Sequence, residues 1–273
     1  MKKTIIAATD FSPAAFNAAS YAADMAATIN ADLLLFHVYE MPIPFSEVPV
    51  AINEEDMIKE AEASISNMKD ELSQKAKNKI DIITAVRAGG FYVALESICK
   101  EVKPYLVVIG SQGRTAAERF FFGSHAIYAM KHLRWPLITV PGKARFSSIR
   151  KIGLACDFDN VVGTISVDEI KKLIKDFHAE LHVINTGKTR EYRPETVFES
   201  GLFEEMMLEV KPEYHFIASE DKDQGIIEFA EKNHIDMLIV IPKKHNLIDQ
   251  VMHKSQTKEL VLHSHIPVMA LHE

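Results

Sequence analysis

The chain has 273 residues and a net charge of −7, so it carries no basic field of the kind that holds nucleic acid or an anionic membrane. With 47% hydrophobic and 25% charged residues its composition is that of an ordinary globular protein, far from disorder. The length suits one large domain or two of about 100–150 residues. Two cysteines, Cys99 and Cys156, make no disulfide framework and suit a reducing cytoplasm. Met1-Lys2-Lys3 precedes an apolar run, but Asp10 cuts it short and no small-residue cleavage site follows. Charge-free windows such as residues 11–23 fall below the roughly 18 apolar residues that span a bilayer. A cytoplasmic protein is expected.

Residues 4–8 form a short, β-branched, uncharged run that predicts a buried strand. Ser12 is a good N-cap and Pro13 a good first residue for an Ala-rich helix running to about residue 29. A second apolar strand spans 33–38. Pro42, Pro44 and Pro49 make 40–53 an irregular loop. A long charged helix over 54–78 follows, with Met57, Ile58, Ala61, Ile65, Met68 and Leu72 on one face. A third strand at 80–87 ends at a Gly89-Gly90 turn into a helix over 91–102. The fourth strand covers 106–109 and closes at Gly110. A helix over 124–133 and a fifth strand over 136–140 complete the series. Continuous apolar strands alternating with helices predict an α/β fold whose parallel sheet is covered on both faces.

After a polar linker at 142–150 the pattern restarts. Residues 151–157 repeat the opening strand and its acidic end, Asp157-Phe158-Asp159 answers Asp10-Phe11-Ser12, and Ile266-Pro267-Val268-Met269 answers Trp135-Pro136-Leu137-Ile138. The chain therefore reads as an internal duplication, with domains at 1–143 and 151–273.

The chemistry concentrates in Gly110-Ser111-Gln112-Gly113 and, nine residues on, Gly123-Ser124. Glycines permit positive φ and close backbone approach, and a loop at the carboxyl end of a parallel strand lies where open α/β sheets bind ligands. Ser124 is expected to cap the next helix, whose free N–H groups suit phosphate oxygens. Asp10 ends the neighbouring strand.

These residues resemble the G-x2-G-x9-G-[ST] signature of ATP-binding universal stress proteins, and nearly the whole chain resembles two such domains in tandem. The resemblance implies two doubly wound parallel sheets, adenine-nucleotide alpha-hydrolase-like, of five strands each in the order 3-2-1-4-5. It implies ATP, with Mg²⁺ as a companion, held by Gly110, Gly113, Gly123 and Ser124 at the phosphates and by Asp10 near adenine or ribose. Ala8, Thr9, Val38 and Ile109 would line the pocket, and His125 and Ala126 would face the phosphates. It further implies pairing of the fifth strands into an internal pseudo-dimer, with a homodimer as a further assembly.

The second half departs from the signature. Alignment through Pro136 and Pro267 puts Ile241, Lys244 and Lys254 at the positions of Gly110, Gly113 and Gly123. One nucleotide site per chain is expected, in the first half. Lys243, Lys244 and Lys254 read as solvated surface charge.

No G-K-[ST] closes the glycine motif, no G-x-G-x-x-G follows any strand, and no G-x-S-x-G is present. The histidines, His178/His182 and His263/His265 among them, read as surface or helix-terminal residues, and no metal ligand is assigned. Phe120-Phe121-Phe122 reads as a packing segment against the second half or another copy. The expected function is a nucleotide-dependent stress sensor or regulator acting on a downstream protein, with no nucleic-acid or membrane partner. Without a positioned general base it is at most a slow ATPase, and no catalytic residue is assigned. The alternatives are an ATP-dependent hydrolase or nucleotidyl- or phosphotransferase, and a dimerisation protein with a vestigial pocket.

Overall fold

The structure is a computed structural model that describes residues 2–39, 53–77, 79–111, 119–158, 161–187, 194–242, 260–261 and 263–272, with only the backbone path for 119–124 and 194–196. The 40–53 proline loop, apart from Asn53, and Lys243, Lys244 and Lys254 therefore lie outside the described residues.

The first half runs β1 (Lys3–Thr9), α1 (Pro13–Thr28), β2 (Ala31–Tyr39), α2 (Glu54–Lys75), β3 (Ile82–Ala88), α3 (Phe91–Val102), β4 (Leu106–Gly110), α4 (Arg119–His132) and β5 (Leu137–Val140). The second runs β6 (Lys151–Ala155), α5 (Val161–Thr164), α6 (Val167–Phe177), β7 (Glu180–Gly187), α7 (Pro194–Met206), β8 (Glu213–Ala218), α8 (Lys222–Lys232), β9 (Met237–Val240) and β10 (Val268–Ala270). Each half has the expected 3-2-1-4-5 order. The two sheets are not separate: β5 pairs antiparallel with β10, giving one ten-stranded sheet, β3-β2-β1-β4-β5-β10-β9-β6-β7-β8. Within each half every pairing is parallel.

Both faces of this sheet are buried, which is why its strands read as unbroken apolar runs. On one face Ile5 and Ala7 pack with α1, Ile65, Met68 and Leu72 of α2, and Phe203 of α7. On the other, Ile6 and Ala8 pack with Leu95 and Ile98 of α3, Ala129 and Met130 of α4, and Ile226 of α8. Each fully buried Leu or Ile contributes about 1.5–3 kcal/mol. Ser12 caps α1 as expected, its Oγ accepting from Ala15 N at 3.1 Å, with Pro13 in the first turn. The alanines of α1 let that helix lie against the sheet. Asn17 ties the linker onto it by donating to the carbonyls of Pro141, at 3.1 Å, and Ala144, at 2.9 Å.

The duplication extends to the backbone. Among the described residues, eight non-glycine residues have positive φ, and they fall in equivalent places of the two halves: Phe11 and Phe158, Asn30 and His178, Lys77 and Lys211, Lys103 and His234. Each pair marks the same turn leaving a strand or helix, and a left-handed residue is the usual way to end a helix before a strand.

Cys99 is fully buried, and burial, with a smaller contribution from Glu96, pushes its thiol up to about 12. Only the thiolate reacts, and this shift leaves very little of it near neutral pH. The native chain is expected to leave Cys99 unalkylated after an hour in iodoacetamide, and denaturant to expose it. Peptide mass spectrometry reads the difference, and rapid native labelling would contradict the packing of α3.

Candidate functional site

Parallel strands deliver their carboxyl ends to one side of the sheet. β1 is central in the first half, with Thr9 opposite His37 of β2; continuing the β1–β4 register beyond Ala7 and Val108 brings Thr9 level with Gly110. From β1 the chain leaves to α1 on one face, and from β4 it leaves to α4 on the other. The crevice between these departures is the topological switch point at which open α/β sheets bind ligands.

Thr9, Asp10, Val38 and Gly110 meet at this crevice. Asp10 is half-buried, and its Oδ1 accepts from Ser12 N at 3.0 Å. Its Oδ2 lies outside that bond, and as an acceptor it suits a ligand hydroxyl or amino group next to an apolar wall. The turn is tight because Phe11 takes φ 61°, held by Phe11 N donating to Thr9 Oγ1 at 3.0 Å. His37 Nδ1 donates to the Thr9 carbonyl at 2.8 Å, which fixes that proton on Nδ1, and its ring lies 4.3 Å from that of Phe11. Neither Phe11 nor His37 stands out in the sequence; the β1–β2 register is what joins them to the site.

Gly110 has a reason of its own. A Cβ there would meet the Ala14 carbonyl oxygen at 3.2 Å and its carbon at 3.3 Å, so the missing side chain lets the first turn of α1 cross the end of β4. Its φ is not in the left-handed range; close approach, not positive φ, is what requires glycine here.

The rest of the glycine motif is placed differently from expectation. Gly113 lies outside the described residues. Gly123 and Ser124 are inside α4, which begins at Arg119, so Ser124 is not its N-cap. Arg119 and the three phenylalanines contain no helix breaker, and an interior glycine costs only about 1 kcal/mol relative to alanine, so the helix runs through it. The phenylalanine side chains lie outside the described residues. His125 is half-buried with its ring edge-on to Phe91 at 5.7 Å, facing α3. Ala126, Ala8 and Ile109 are buried in the core beneath, and Val38 packs partly against it.

The second half builds the same turn from other side chains. Phe158 has φ 53°, its N–H donates to Cys156 Sγ at 3.4 Å, and Asn185 Nδ2 donates to the Cys156 carbonyl at 2.9 Å. Cys156 thus replaces Thr9, and Asn185 replaces His37. The position of Gly110 holds Ile241, which packs partly against the core. It is tolerated where the first helix is broken into α5 and α6, and Val161 N at the start of α5 donates to the chain's own Glu199 carboxylate at 2.8 Å. The strand-end turn is therefore common to both halves, while the glycine approach is confined to the first.

A cleft of about 740 Å³ adjoins the first site, bordered by Pro13, Ala14, Ser111, Lys75, Lys143 and Arg145. Lys75 is bonded to Ser20 and Arg145 to Asn17, so two of its three cations hold the linker and α2 onto α1. Among the described residues no helix is long and apolar enough to cross a membrane.

The sequence profile of the universal stress protein family matches residues 1–141 and again 148–272. No curated protein sequence matches the chain. Among solved structures, a universal stress protein from Archaeoglobus fulgidus DSM 4304 superposes with a TM-score of 0.71 at 16% identity, covering 99% of this chain and 96% of that one. A putative universal stress protein from Pseudomonas aeruginosa UCBPP-PA14 gives 0.57 at 12% identity, covering 99% and 93%. A universal stress protein in complex with cAMP is 26% identical over 50% of this chain and 96% of that chain, with a TM-score of 0.39.

Proposed function

Because the chain belongs to the universal stress protein family, with one match in each half, we propose that it binds one ATP per molecule in its first half and acts as a nucleotide-dependent regulator. The observation that carries this reading is that Gly110, which opens the glycine signature, ends β4 at the β1–β4 switch point, while the second half has Ile241 at that position. Asp10 uses its second carboxylate oxygen to hold the ribose or adenine, beside Thr9 and Val38, while Ala8 and Ile109 offer only backbone at the rim. Gly110 and Gly113 are where a phosphate would approach the backbone closely, and the Ser124 hydroxyl would add a donor, while Gly123, His125 and Ala126 belong to the helix α4 that carries it. Mg²⁺ carried by the phosphates would neutralise their charge.

The pairing of β5 with β10 bears on partners, since it consumes inside one chain the edge through which two such domains would otherwise associate. A homodimer or a downstream protein would then use β3, β8 or a helical face. No positioned base is assigned, and turnover is expected to be far below one per second.

Calorimetric titration of nucleotide-stripped protein with ATP and Mg²⁺ is expected to give one site per chain with micromolar affinity. Absence of binding would favour a dimerisation protein, two sites would reinstate the second half, and phosphate release near one per second would make the protein an enzyme.

A further inference from the structure

The outer strands of the second half gather a side-chain cluster that the nucleotide reading does not use. β8 is an edge strand of the sheet, paired with β7 so that His182 lies opposite Glu213, and His215 sits one diagonal step along on the same face. His182 Nδ1 stands 3.0 Å from His215 Nε2 and 3.5 Å from Glu213 Oε2, and His215 Nε2 is 3.9 Å from that same Oε2. One atom from each residue thus forms a triangle of two imidazole nitrogens and a carboxylate oxygen. Ligands about 2.0–2.1 Å from a tetrahedral zinc ion stand roughly 3.3–3.4 Å apart, close to all three edges.

We propose that His182, His215 and Glu213 form a binding site for a late first-row divalent cation of the zinc class.

The surroundings support ligation. The imidazoles are nearly parallel, at 20°, and the His215 ring is braced against Phe229 of α8 at 4.6 Å, so both orientations are set by packing. His182 is 4% exposed, and its Nε2 is buried without a hydrogen-bond partner. A metal on Nδ1 places the proton on that Nε2, where Glu180 Oε2 at 3.8 Å is the nearest acceptor, an outer carboxylate of the kind that orients ligating histidines. Glu213 is 65% exposed and opens the cluster to solvent. Three protein ligands leave a fourth position to water. Copper would bind more tightly than zinc at such a site, as the general affinity order requires.

The test uses the full chain after chelator treatment, titrated with zinc chloride against a chromophoric chelator, with cobalt(II) absorption as a report of four-coordinate geometry. One zinc per chain is expected. Glu213→Gln and His215→Gln, both at partly exposed positions, are each expected to weaken it at least about 10-fold and to change the cobalt spectrum, with far-UV circular dichroism unchanged. Zinc that does not saturate at one per chain, or affinity undiminished in Glu213→Gln, would overturn the site. In the latter case the ion would be held elsewhere, for instance by His263 and His265.

Discussion

Gly113→Lys is expected to lower ATP affinity at least about 100-fold while leaving the melting temperature almost unchanged. The substitution copies the second half, where Lys244 stands at this position. It replaces a residue whose backbone a phosphate can approach with one that carries a long side chain. Gly110 makes the instructive contrast. A side chain there would press on the Ala14 carbonyl at 3.2 Å, so Gly110→Ala is expected to destabilise the chain whether or not nucleotide is present. Two glycines of one motif thus separate by assay: loss of binding at 113, loss of stability at 110. Calorimetry with a thermal melt on each variant reads both. Unchanged affinity in Gly113→Lys would remove the glycine motif from the nucleotide reading.

The strands were legible because both faces of the sheet are buried, which turns each into a short apolar run such as residues 106–109. The duplication was legible in Asp10-Phe11-Ser12 against Asp157-Phe158-Asp159. The backbone that makes those turns was not, because positive φ falls on Phe, Asn, Lys and His and not on the glycines that would advertise it. A glycine next to a serine looks like a cap, so the sequence points to Ser124 as the start of α4, whereas the helix begins at Arg119 because the cost of an interior glycine is small enough to absorb. His182 read as a surface or helix-terminal residue, yet it is buried. His178 does end a helix, as the left-handed cap of α6. His182 and His215 are 33 residues apart, and only the β7–β8 register brings them together. Short-range spacing could not reveal that cluster, because strand pairing is a long-range choice.

The seam between the halves should make the chain unfold as one unit, and Met269→Ala is the variant that tests it. Met269 of β10 lies directly opposite Ile138 of β5, and both are fully buried in one core that spans the two halves. Thr139 Oγ1 also donates to the Val268 carbonyl at 3.2 Å. Away from the strands, Asp176 of α6 accepts from Tyr105 Oη at 2.7 Å and pairs with Lys3 at 2.5 Å, while His272 Nε2 donates to the Met130 carbonyl at 2.9 Å. Truncating a buried Met or Ile to Ala costs about 2–5 kcal/mol through lost burial and the cavity left behind. Residues in contact couple by about 0.5–3 kcal/mol, so Ile138→Ala with Met269→Ala should depart from additivity by that amount. The single tryptophan, Trp135, lies in the first half and packs partly against the core. Its fluorescence should therefore report the unfolding midpoint of Met269→Ala at the same denaturant concentration as far-UV circular dichroism of the whole chain. Coincident midpoints, both shifted, make the ten-stranded sheet one cooperative body. A tryptophan transition left in place while the circular dichroism splits would make the halves independent, and a nucleotide bound in the first would then have no route through the seam to the second.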